Sequence, residues 1–312
     1  MARILTLTPN PAIDLSTSAE RVVPIRKLRC SAARHDPGGG GINVARVIVR
    51  LGGEATALYP SGGAVGCLLQ RLVAREGVAS ITVPVADETR LDFTALDRTS
   101  RQQYRFVLPG PALEEVDWRR CLDALRMVSP PPEFVVGGGS LPPGVPEDFF
   151  AQAARIARAA GARMVLDTSG PALRAGLEAG VYLAKPNLGE LRGLTGASLL
   201  READWINAAR KLVKTGQAEA VALTLGDQGA LLVTRTAAFR ALPPAVELVS
   251  AVGAGDCFLG AMLWSLAAGH GLVEALRYGV AAGSAAVINP GTELCHAADV
   301  HRLYDEVTVQ PV

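Results

Sequence analysis

The sequence Pro37-Gly38-Gly39-Gly40-Gly41-Ile42-Asn43-Val44-Ala45-Arg46 places four consecutive glycines directly before a helical pattern. Glycines let backbone N–H groups approach a ligand closely, and the start of a helix attracts oxygen-rich or anionic groups. A tight connection between a strand and a helix needs only one or two glycines, so this run favours ligand contact. It is neither a phosphate-binding P-loop nor a dinucleotide G-x-G-x-x-G. We therefore expect Gly39, Gly40, Gly41 and Asn43 to contact a ligand.

Strand-like and helical patterns alternate on both sides of this stretch. The strand-like runs are Ile4 to Leu7 and residues 55–59, 134–136, 164–166, 182–183 and 220–225. The helical patterns are residues 42–51, 67–75, 147–160, 172–178, 203–215, 254–268 and 272–287. Such alternation predicts βαβ units and a parallel sheet covered by helices on both faces. We predict one α/β domain over residues 1–312.

Two segments, residues 15–36 and 88–108, interrupt the alternation with strand-like patterning and no helix. In the second, apolar residues alternate with polar ones from Leu91 to Ala95, which predicts strands with one apolar face. A sheet this small cannot bury that face alone, so it should cover a site, meet a partner subunit, or both. The alternative is an edge hairpin packed on the main domain. A lid over a site is favoured by the basic residues that these segments contain, namely Lys27, Arg29, Arg90 and Arg105.

Composition excludes several classes of protein. The 312 residues include 31 Lys+Arg and 30 Asp+Glu, and a formal net charge of +1 gives no bulk electrostatic reason to expect nucleic acid or membrane as partner. No run reaches the roughly 18 apolar residues of a membrane span, and the first nine residues are a poor secretory signal. The five cysteines are scattered without a C-x-x-C pair, which favours reduced thiols over disulfides or structural zinc. We expect a cytoplasmic protein.

A second glycine-containing turn, Gly253-Ala254-Gly255-Asp256, begins a long apolar helix. The free N–H groups and the dipole at this helix start would form an anion hole, with Asp256 beside the place of a phosphoryl group. A carboxylate in the first helical turn is also a common stabilising feature, so Asp256 taken alone leaves both interpretations open. Together, the anion hole and the carboxylate supply what phosphoryl transfer to an alcohol needs, which is charge stabilisation and a base.

Four further motifs lie after predicted strands. Asn187 and Glu190, three residues apart, would share a helix face and orient Mg²⁺ through water, or else form a helix capping box. Residues 224–230 predict a hairpin turn on which a nucleotide could lie. Asp14 is a candidate acceptor for sugar hydroxyls or an ordinary turn aspartate. Ser140 follows a strand at the edge where open α/β sheets bind ligands.

These motifs, in this order and over essentially the whole chain, resemble the ribokinase-like sugar kinases of the phosphofructokinase B family, and most of all its minor bacterial 6-phosphofructokinases. The similarity includes the glycine run with Asn43, the Asn187–Glu190 pair, the turn before Asp256, and residues 27–30, 103–110, 140–145 and 280–286. The resemblance implies a three-layer α/β/α sandwich with a mostly parallel sheet and a small β-sheet lid. It also implies a homodimer formed through the lid.

The implied activity is ATP- and Mg²⁺-dependent phosphorylation of fructose 6-phosphate at its C1 hydroxyl, a step of glycolysis. Asp256 would be the base, and Gly253, Ala254 and Gly255 would form the anion hole. Asp14, Gly39 and Asn43 would hold the sugar hydroxyls. Lys27, Arg29 and Arg90 would hold the 6-phosphate, with Arg90 reaching across from a partner's lid. The ATP site would be lined by Lys185, Asn187, Thr224, Gly226, Gly229, Ser284 and Asn289, with Glu190 serving Mg²⁺ through water.

The resemblance also implies a monovalent cation such as K⁺, which backbone carbonyls of Ser250, Val252, Ala286 and Gly291 would bind. Many members have Asp-Thr where Ser250-Ala251 stand, which leaves the details of that site open. The opening residues 8–14 also resemble 1-phosphofructokinases and tagatose-6-phosphate kinases, which leaves the preferred phosphorylated hexose open. The motifs also leave open a non-catalytic sugar-phosphate sensor and a nucleoside kinase, although the basic lid residues disfavour the nucleoside kinase.

Overall fold

Fourteen strands and ten helices make up residues 3–312, the part of the chain that this computed structural model describes. Met1 and Ala2, the first residues of the stretch that makes a poor secretory signal, lie outside the described residues. The strands are β1 (Ile4–Leu7), β2 (Ala12–Ala19), β3 (Arg34–Gly38), β4 (Ala55–Ser61), β5 (Ala79–Pro84), β6 (Arg90–Asp97), β7 (Gln103–Phe106), β8 (Phe134–Gly138), β9 (Arg163–Asp167), β10 (Val181–Ala184), β11 (Ala218–Thr224), β12 (Ala230–Thr234), β13 (Ala238–Leu242) and β14 (Thr308–Pro311).

The helices come mostly between the strands, as the alternation predicts. They are α1 (Gly40–Arg50), α2 (Gly63–Arg75), α3 (Glu115–Arg126), α4 (Phe149–Ala159), α5 (Gly170–Glu178), α6 (Leu188–Thr195), α7 (Glu202–Lys214), α8 (Ala254–Ala267), α9 (Leu272–Val287) and α10 (Ala297–Tyr304). Within residues 3–312, none of them combines the length and the apolar character needed to cross a lipid bilayer.

Ten of the strands form one large sheet in the order β14-β13-β12-β11-β10-β9-β8-β1-β4-β5. The pairings from β11 to β5 are parallel, and β12, β13 and β14 add an antiparallel edge. All four residues of β1 are buried, because this central strand is covered by helices on both faces. The predicted α/β fold with a mostly parallel sheet is confirmed.

A hydrophobic core lies on each face of the large sheet. On one face, α1, α8 and α9 pack around residues such as Ile42 and Leu259. On the other face, α3, α4 and α7 pack around residues such as Phe149 and Trp205. The apolar side chains of β1 alternate between the two cores, since Ile4 belongs to the first and Leu5 to the second. Burial on both sides therefore fixes the loops at the strand ends.

The remaining four strands form a separate small sheet in the order β3-β2-β6-β7. The first predicted segment, residues 15–36, differs in its bounds from the strands observed: β2 begins before it, β3 ends after it, and residues 20–33 form no regular strand. Asp14 on β2 lies in register with Asp36 on β3 and with Asp92 on β6, so the three carboxylates share one face. Asp36 and Asp92 are buried, whereas Leu91 and Phe106 on the other face are 37% and 55% exposed. The polar face of this sheet therefore faces the rest of the molecule, and its apolar face is exposed at Leu91 and Phe106 but buried at Ile13 and Ala95.

The two glycines that begin α1 have a packing role that the sequence pattern did not predict. A Cβ atom on Gly40 would lie 2.9 Å from the backbone nitrogen of Gly139, and one on Gly41 would lie 2.5 Å from Oγ1 of Thr8. Only glycine lets α1 begin this close to the loops after β1 and β8. The expectation that so many glycines lack a structural reason is therefore wrong for Gly40 and Gly41, and their role as ligand contacts stays a prediction.

Candidate active site

The loops after β1, β8, β9, β10 and β11 lie at one edge of the large sheet, because the carboxyl ends of parallel strands meet there. The starts of α1 and α8 lie against the same edge, and these two helices pack on each other. Asn43 of α1 and Asp256 of α8, predicted from motifs more than 200 residues apart, form a hydrogen bond between Asn43 Nδ2 and Asp256 Oδ2 of 2.8 Å. The structure therefore brings the two strongest motifs together.

The start of α8 has the geometry of an anion hole. Gly253, with a φ of 77°, precedes the first helical residue, Ala254, and makes the left-handed turn that glycine favours. The first N–H groups of the helix have no partner within the helix, and they carry its positive dipole end. Asp256 lies in this first turn, beside those N–H groups.

The Asp256 carboxyl is poised to exchange a proton near neutral pH. Burial raises its pKa from the ordinary 3.8 to about 7, and the negative charge of Asp167 adds to the rise. The hydrogen bond from Asn43 and the positive charge of Lys185 oppose it. A general base works best when its pKa lies near the working pH, so this environment suits Asp256 to that role.

Asp167, which the sequence analysis missed, completes the centre. Its Oδ1 lies 3.0 Å from Nζ of Lys185, and both side chains are largely buried. Burial alone would lower the pKa of Lys185, but Asp167 and then Asp256 raise it overall and keep the ammonium charged. A Cβ atom on Gly255 would lie 3.3 Å from this ammonium, so Lys185 is at the anion hole. A carboxylate that directly ends a buried strand was the available signal for Asp167.

Asp14 lies on the polar face of the small sheet, among charges of both signs. Burial and the nearby Asp92 raise its pKa to about 6, while Arg105, Arg46 and Arg90 oppose the rise. Gly38 packs directly against the Asp14 carboxylate, where a Cβ atom would collide with it. Asp14 is also among the charges that raise the pKa of Asp256, which places the two carboxylates on a common site.

Arg90 lies beside Asp14 and is held by its own chain. Its guanidinium donates to the backbone carbonyls of Leu108, at 2.9 Å, and Asn10, at 3.2 Å, and it pairs with Asp92. All of these contacts of Arg90 are with residues of its own chain. That Arg90 reaches across to a partner's site stays a prediction. Ser140 accepts a hydrogen bond from Nδ2 of Asn10, which places it at the same loop.

Lys27 and Arg29 are exposed on the connection between β2 and β3. Neither forms an ion pair with another residue in the part of the chain that the structure describes. The structure does not bring them into contact with Arg90. Their role in binding a phosphate, which their positive charge would allow, stays a prediction.

On the nucleotide side, Asn187 and Glu190 form a reciprocal capping box at the start of α6. Asn187 Oδ1 accepts from the Glu190 N–H at 2.9 Å, and Glu190 Oε2 accepts from the Asn187 N–H at 2.8 Å. The capping alternative is therefore correct as structure. Glu190 is still close to the centre, because its pKa is raised by burial and is affected by the charges of Lys185 and Asp167.

Five other predicted ATP-site residues lie along this edge or behind it. Thr224 pairs with Asn187 across a single β-bridge, and the turn that follows, Gly226–Gln228, joins β11 to β12 as the predicted hairpin. Gly229 packs against the carbonyl of Ala241, so its glycine has a structural reason. The Asn289 amide donates to the carbonyls of Ala285 and Leu294, and Ser284 is buried in α9. The nucleotide roles of these side chains stay predictions.

The backbone segments predicted to bind a monovalent cation meet next to the start of α8. Oγ of Ser250 donates to the carbonyl of Gly291 at 2.8 Å, and the carbonyl of Ala286 accepts from the N–H of Asn289. The backbone N–H of Val252 donates a hydrogen bond to Oγ of Ser250. In residues 3–312, no group of three or more His, Cys, Asp or Glu side chains could hold a metal ion.

Comparison with known proteins gives a consistent result. The model of the pfkB family carbohydrate kinases matches residues 9–298. A Mycobacterium tuberculosis protein, the ATP-dependent 6-phosphofructokinase isozyme 2, is 45% identical over 99% of this chain and 91% of its own. The Escherichia coli K12 protein of the same name is 44% identical over 97% of this chain and 98% of its own. A Xanthomonas campestris 1-phosphofructokinase is 37% identical over 84% of this chain and 83% of its own.

Solved structures agree with the curated relatives. Phosphofructokinase-2 from Escherichia coli in complex with potassium has a TM-score of 0.94 and 43% identity, covering 98% of this chain and 99% of its own. The same protein in complex with fructose-6-phosphate has a TM-score of 0.92. Its tetrameric inhibited form has a TM-score of 0.93. Both of these are 42% identical and cover 98% of this chain and 99% of their own.

Proposed function

The chain belongs to the pfkB family of carbohydrate kinases, and from this premise we propose that it is an ATP-dependent 6-phosphofructokinase. It transfers the γ-phosphoryl group of ATP to the C1 hydroxyl of fructose 6-phosphate and releases fructose 1,6-bisphosphate and ADP. The observation that supports this most is the meeting of Asp256, Asn43 and Lys185 at the start of α8. This arrangement places a base of raised pKa, an anion hole and a positive charge around one point.

In the proposed reaction, ionised Asp256 takes the proton of the C1 hydroxyl as its oxygen attacks the γ-phosphorus in line. The bond to the ADP oxygen breaks in the same displacement, so no phosphoenzyme forms. N–H groups at Gly253, Ala254 and Gly255 stabilise the charge on the transferring phosphoryl oxygens, and the Lys185 ammonium adds to this stabilisation. The protein contributes positioning and electrostatics, which are the main requirements of phosphoryl transfer.

The sugar phosphate would lie on the polar face of the small sheet. Asp14, with Gly39 and Asn43, would accept and orient the sugar hydroxyls. Arg90, together with Lys27 and Arg29, would bind the 6-phosphate, since guanidinium groups donate two parallel hydrogen bonds to phosphate. These residues favour a phosphorylated sugar over a nucleoside. Within the family, 1-phosphofructokinase and tagatose-6-phosphate kinase activities compete with this proposal, and a sugar-phosphate sensor without catalysis competes with it from outside the enzymes.

Mg²⁺ and a monovalent cation are proposed as cofactors. Glu190 uses Oε2 in its capping hydrogen bond, and Asp167 uses Oδ1 in its ion pair with Lys185, so each carboxylate has a second oxygen to offer a metal ion. Carboxylate oxygens suit Mg²⁺, which binds few protein groups and several waters. When bound with ATP, Mg²⁺ would neutralise phosphate charge. The carbonyls of Ser250, Val252, Ala286 and Gly291 suit K⁺, the ion present in one structure of the Escherichia coli relative.

We propose that two chains associate through the small sheet. Its outer face exposes Leu91 and Phe106, and burial of such apolar surface drives association. In light scattering we expect a mass twice that of one 32.5 kDa chain, and Phe106→Asp should reduce it to one chain. A dimer that Phe106→Asp leaves intact would contradict this interface. The Escherichia coli relative has a tetrameric inhibited form.

The proposed cellular setting follows from the reaction and the thiols. All five cysteines are free, which fits a reducing cytoplasm, where ATP and sugar phosphates are available. The reaction would be a step of glycolysis.

The substrate is tested by an ADP-release assay with Mg-ATP and four acceptors. These are fructose 6-phosphate, tagatose 6-phosphate, fructose 1-phosphate and unphosphorylated fructose. We expect the highest kcat/KM with fructose 6-phosphate, and little turnover of fructose because it lacks the phosphate that Arg90 binds. A preference for another phosphorylated hexose would retain the mechanism and correct the substrate. No turnover with any of the four would contradict the proposed function.

A further inference from the structure

Arg46 is a fully buried arginine on α1, one helical turn after Asn43. Its NH1 donates to Oδ1 of Asn43 at 3.0 Å and to the backbone carbonyl of Pro37 at 2.7 Å. Its NH2 pairs with Glu76 at 3.1 Å and lies 3.6 Å from Asp36 on β3. A buried charge is costly unless it is paired, and here two carboxylates and a carbonyl surround the guanidinium.

The contact between Arg46 and Asn43 decides which way the Asn43 amide points. A guanidinium has only donors, so the amide atom that faces it must be the oxygen. The amide nitrogen then points to the other side, where it donates to Oδ2 of Asp256. Without Arg46, the amide could rotate and present its oxygen to Asp256, an arrangement that repels an ionised carboxylate and accepts a hydrogen bond from a protonated one.

We propose that Arg46 is a positioning residue that holds the Asn43 amide with its Nδ2 toward Asp256 and thereby favours the ionised form of the base. The inference rests on the proposed function of Asp256. Arg46 contacts Asn43 and not Asp256, so its effect on the base is indirect. It also joins the small sheet to the base, because Asp36 of β3 lies beside it.

Other charged groups also act on Asp256 and must be kept constant in a test. Asp167 at the end of β9 and Asp14 on β2 oppose its ionisation, whereas Lys185 after β10 favours it. Around Arg46 the charged groups are Asp36 on β3, Glu76 after α2, Arg50 on α1, and Asp14 on β2, whose ionised form Arg46 favours. Arg50 shares Glu76 with Arg46 and donates to the carbonyl of Leu294, but the structure gives it no hydrogen bond to Asn43.

The test is the pH profile of kcat for Arg46→Lys, with Arg50→Lys as the matched control. Lysine retains the positive charge that Asp36 and Glu76 face, so the variant should fold, whereas Arg46→Met leaves Asp36 with Arg34 and Glu76 with Arg50 as their remaining partners and removes the buried charge between them. Loss of one hydrogen bond to a charged group corresponds to about one pKa unit. We therefore expect the acid limb of Arg46→Lys to move up by about one pH unit, with a roughly tenfold lower rate on that limb. Arg50→Lys should leave the limb in place.

The double variant Arg46→Lys/Asn43→Ala distinguishes positioning from a general loss of structure. If Arg46 acts through Asn43, the acid limb of the double variant should match that of Asn43→Ala alone. A further shift in the double variant, or equal shifts in Arg46→Lys and Arg50→Lys, would overturn the proposal. Failure of the proposed function would look different, because the wild-type acid limb would then persist in Asp256→Asn.

Discussion

Asp256→Asn should lower kcat about 10²–10⁴-fold, the usual contribution of a general base, while the protein still folds and binds both substrates. Asparagine has nearly the same shape as aspartate, so it retains the contact with Asn43, but its amide cannot take the proton of the C1 hydroxyl. The wild-type rate should also fall tenfold per pH unit below about 7, because protonated Asp256 cannot act as a base. Steady-state kinetics over pH 5 to 9, together with calorimetric titration of substrate, measure both effects.

Asp299→Asn is the matched control for this substitution. Asp299 is also a carboxylate in the first turn of a helix, α10, and it is far along the chain from the proposed centre. If Asp256 only stabilised its helix, the two variants would behave alike and both would retain turnover. Near-normal kcat in Asp256→Asn would therefore contradict its role as base, and weak substrate binding would point to a binding role instead.

Arg90→Ala should raise the KM for fructose 6-phosphate about 100-fold, with kcat within a few-fold of wild type. Two hydrogen bonds to a charged phosphate contribute about 3 kcal/mol together, and 1.36 kcal/mol corresponds to a factor of ten. The 6-phosphate is remote from the C1 hydroxyl, so losing its contact with Arg90 should weaken binding of the substrate and of the transition state equally. Initial rates with varied sugar phosphate at saturating ATP provide the measurement.

Arg98→Ala serves as the control for Arg90. Arg98 follows directly after β6, the strand that begins at Arg90, and its exposed ion pair with Glu20 lies at the other end of the small sheet. We expect an unchanged KM in this variant, since an exposed ion pair contributes little. An unchanged KM in Arg90→Ala would argue against a phosphate contact at that residue. Equal increases in the two variants would indicate a general disturbance of the small sheet.

Local patterns predicted most of the large sheet. Strands such as β1 and β8 are mostly apolar and fully buried, which is typical of parallel strands covered on both faces. β14 was not predicted, because only Val309 of its four residues is even partly buried and no apolar pattern marks it. α3 was not predicted either, although its sequence carries a signal: Trp118, Cys121, Leu122 and Leu125 have helical spacing and are buried.

The small sheet shows a limit of periodicity. Alternation of apolar and polar residues predicted two distinct faces, and the structure has them. Alternation alone does not say which face is covered. Here the polar face lies inward, because Asp14, Asp36 and Asp92 are surrounded by arginines and the proposed site, while Leu91 and Phe106 face outward.

The candidate site was predicted where a motif is local and missed where contacts are long-range. Asn43 and Asp256 each follow a glycine-rich turn, a pattern visible within ten residues. Asp167 becomes meaningful only through its ion pair with Lys185 on the next strand. Arg46 was part of the quoted glycine motif, but its link to Asp36, Glu76 and Asn43 depends on three separate elements packing together.

The most direct test of the proposed function is the chemical identity of the product. Wild-type protein incubated with Mg-ATP and fructose 6-phosphate should give a hexose with two phosphate monoesters, which phosphorus NMR resolves as separate signals for C1 and C6. We predict fructose 1,6-bisphosphate formed in equal amount to ADP. Release of ADP with the sugar phosphate unchanged, or a product phosphorylated at another carbon, would contradict phosphoryl transfer to the C1 hydroxyl.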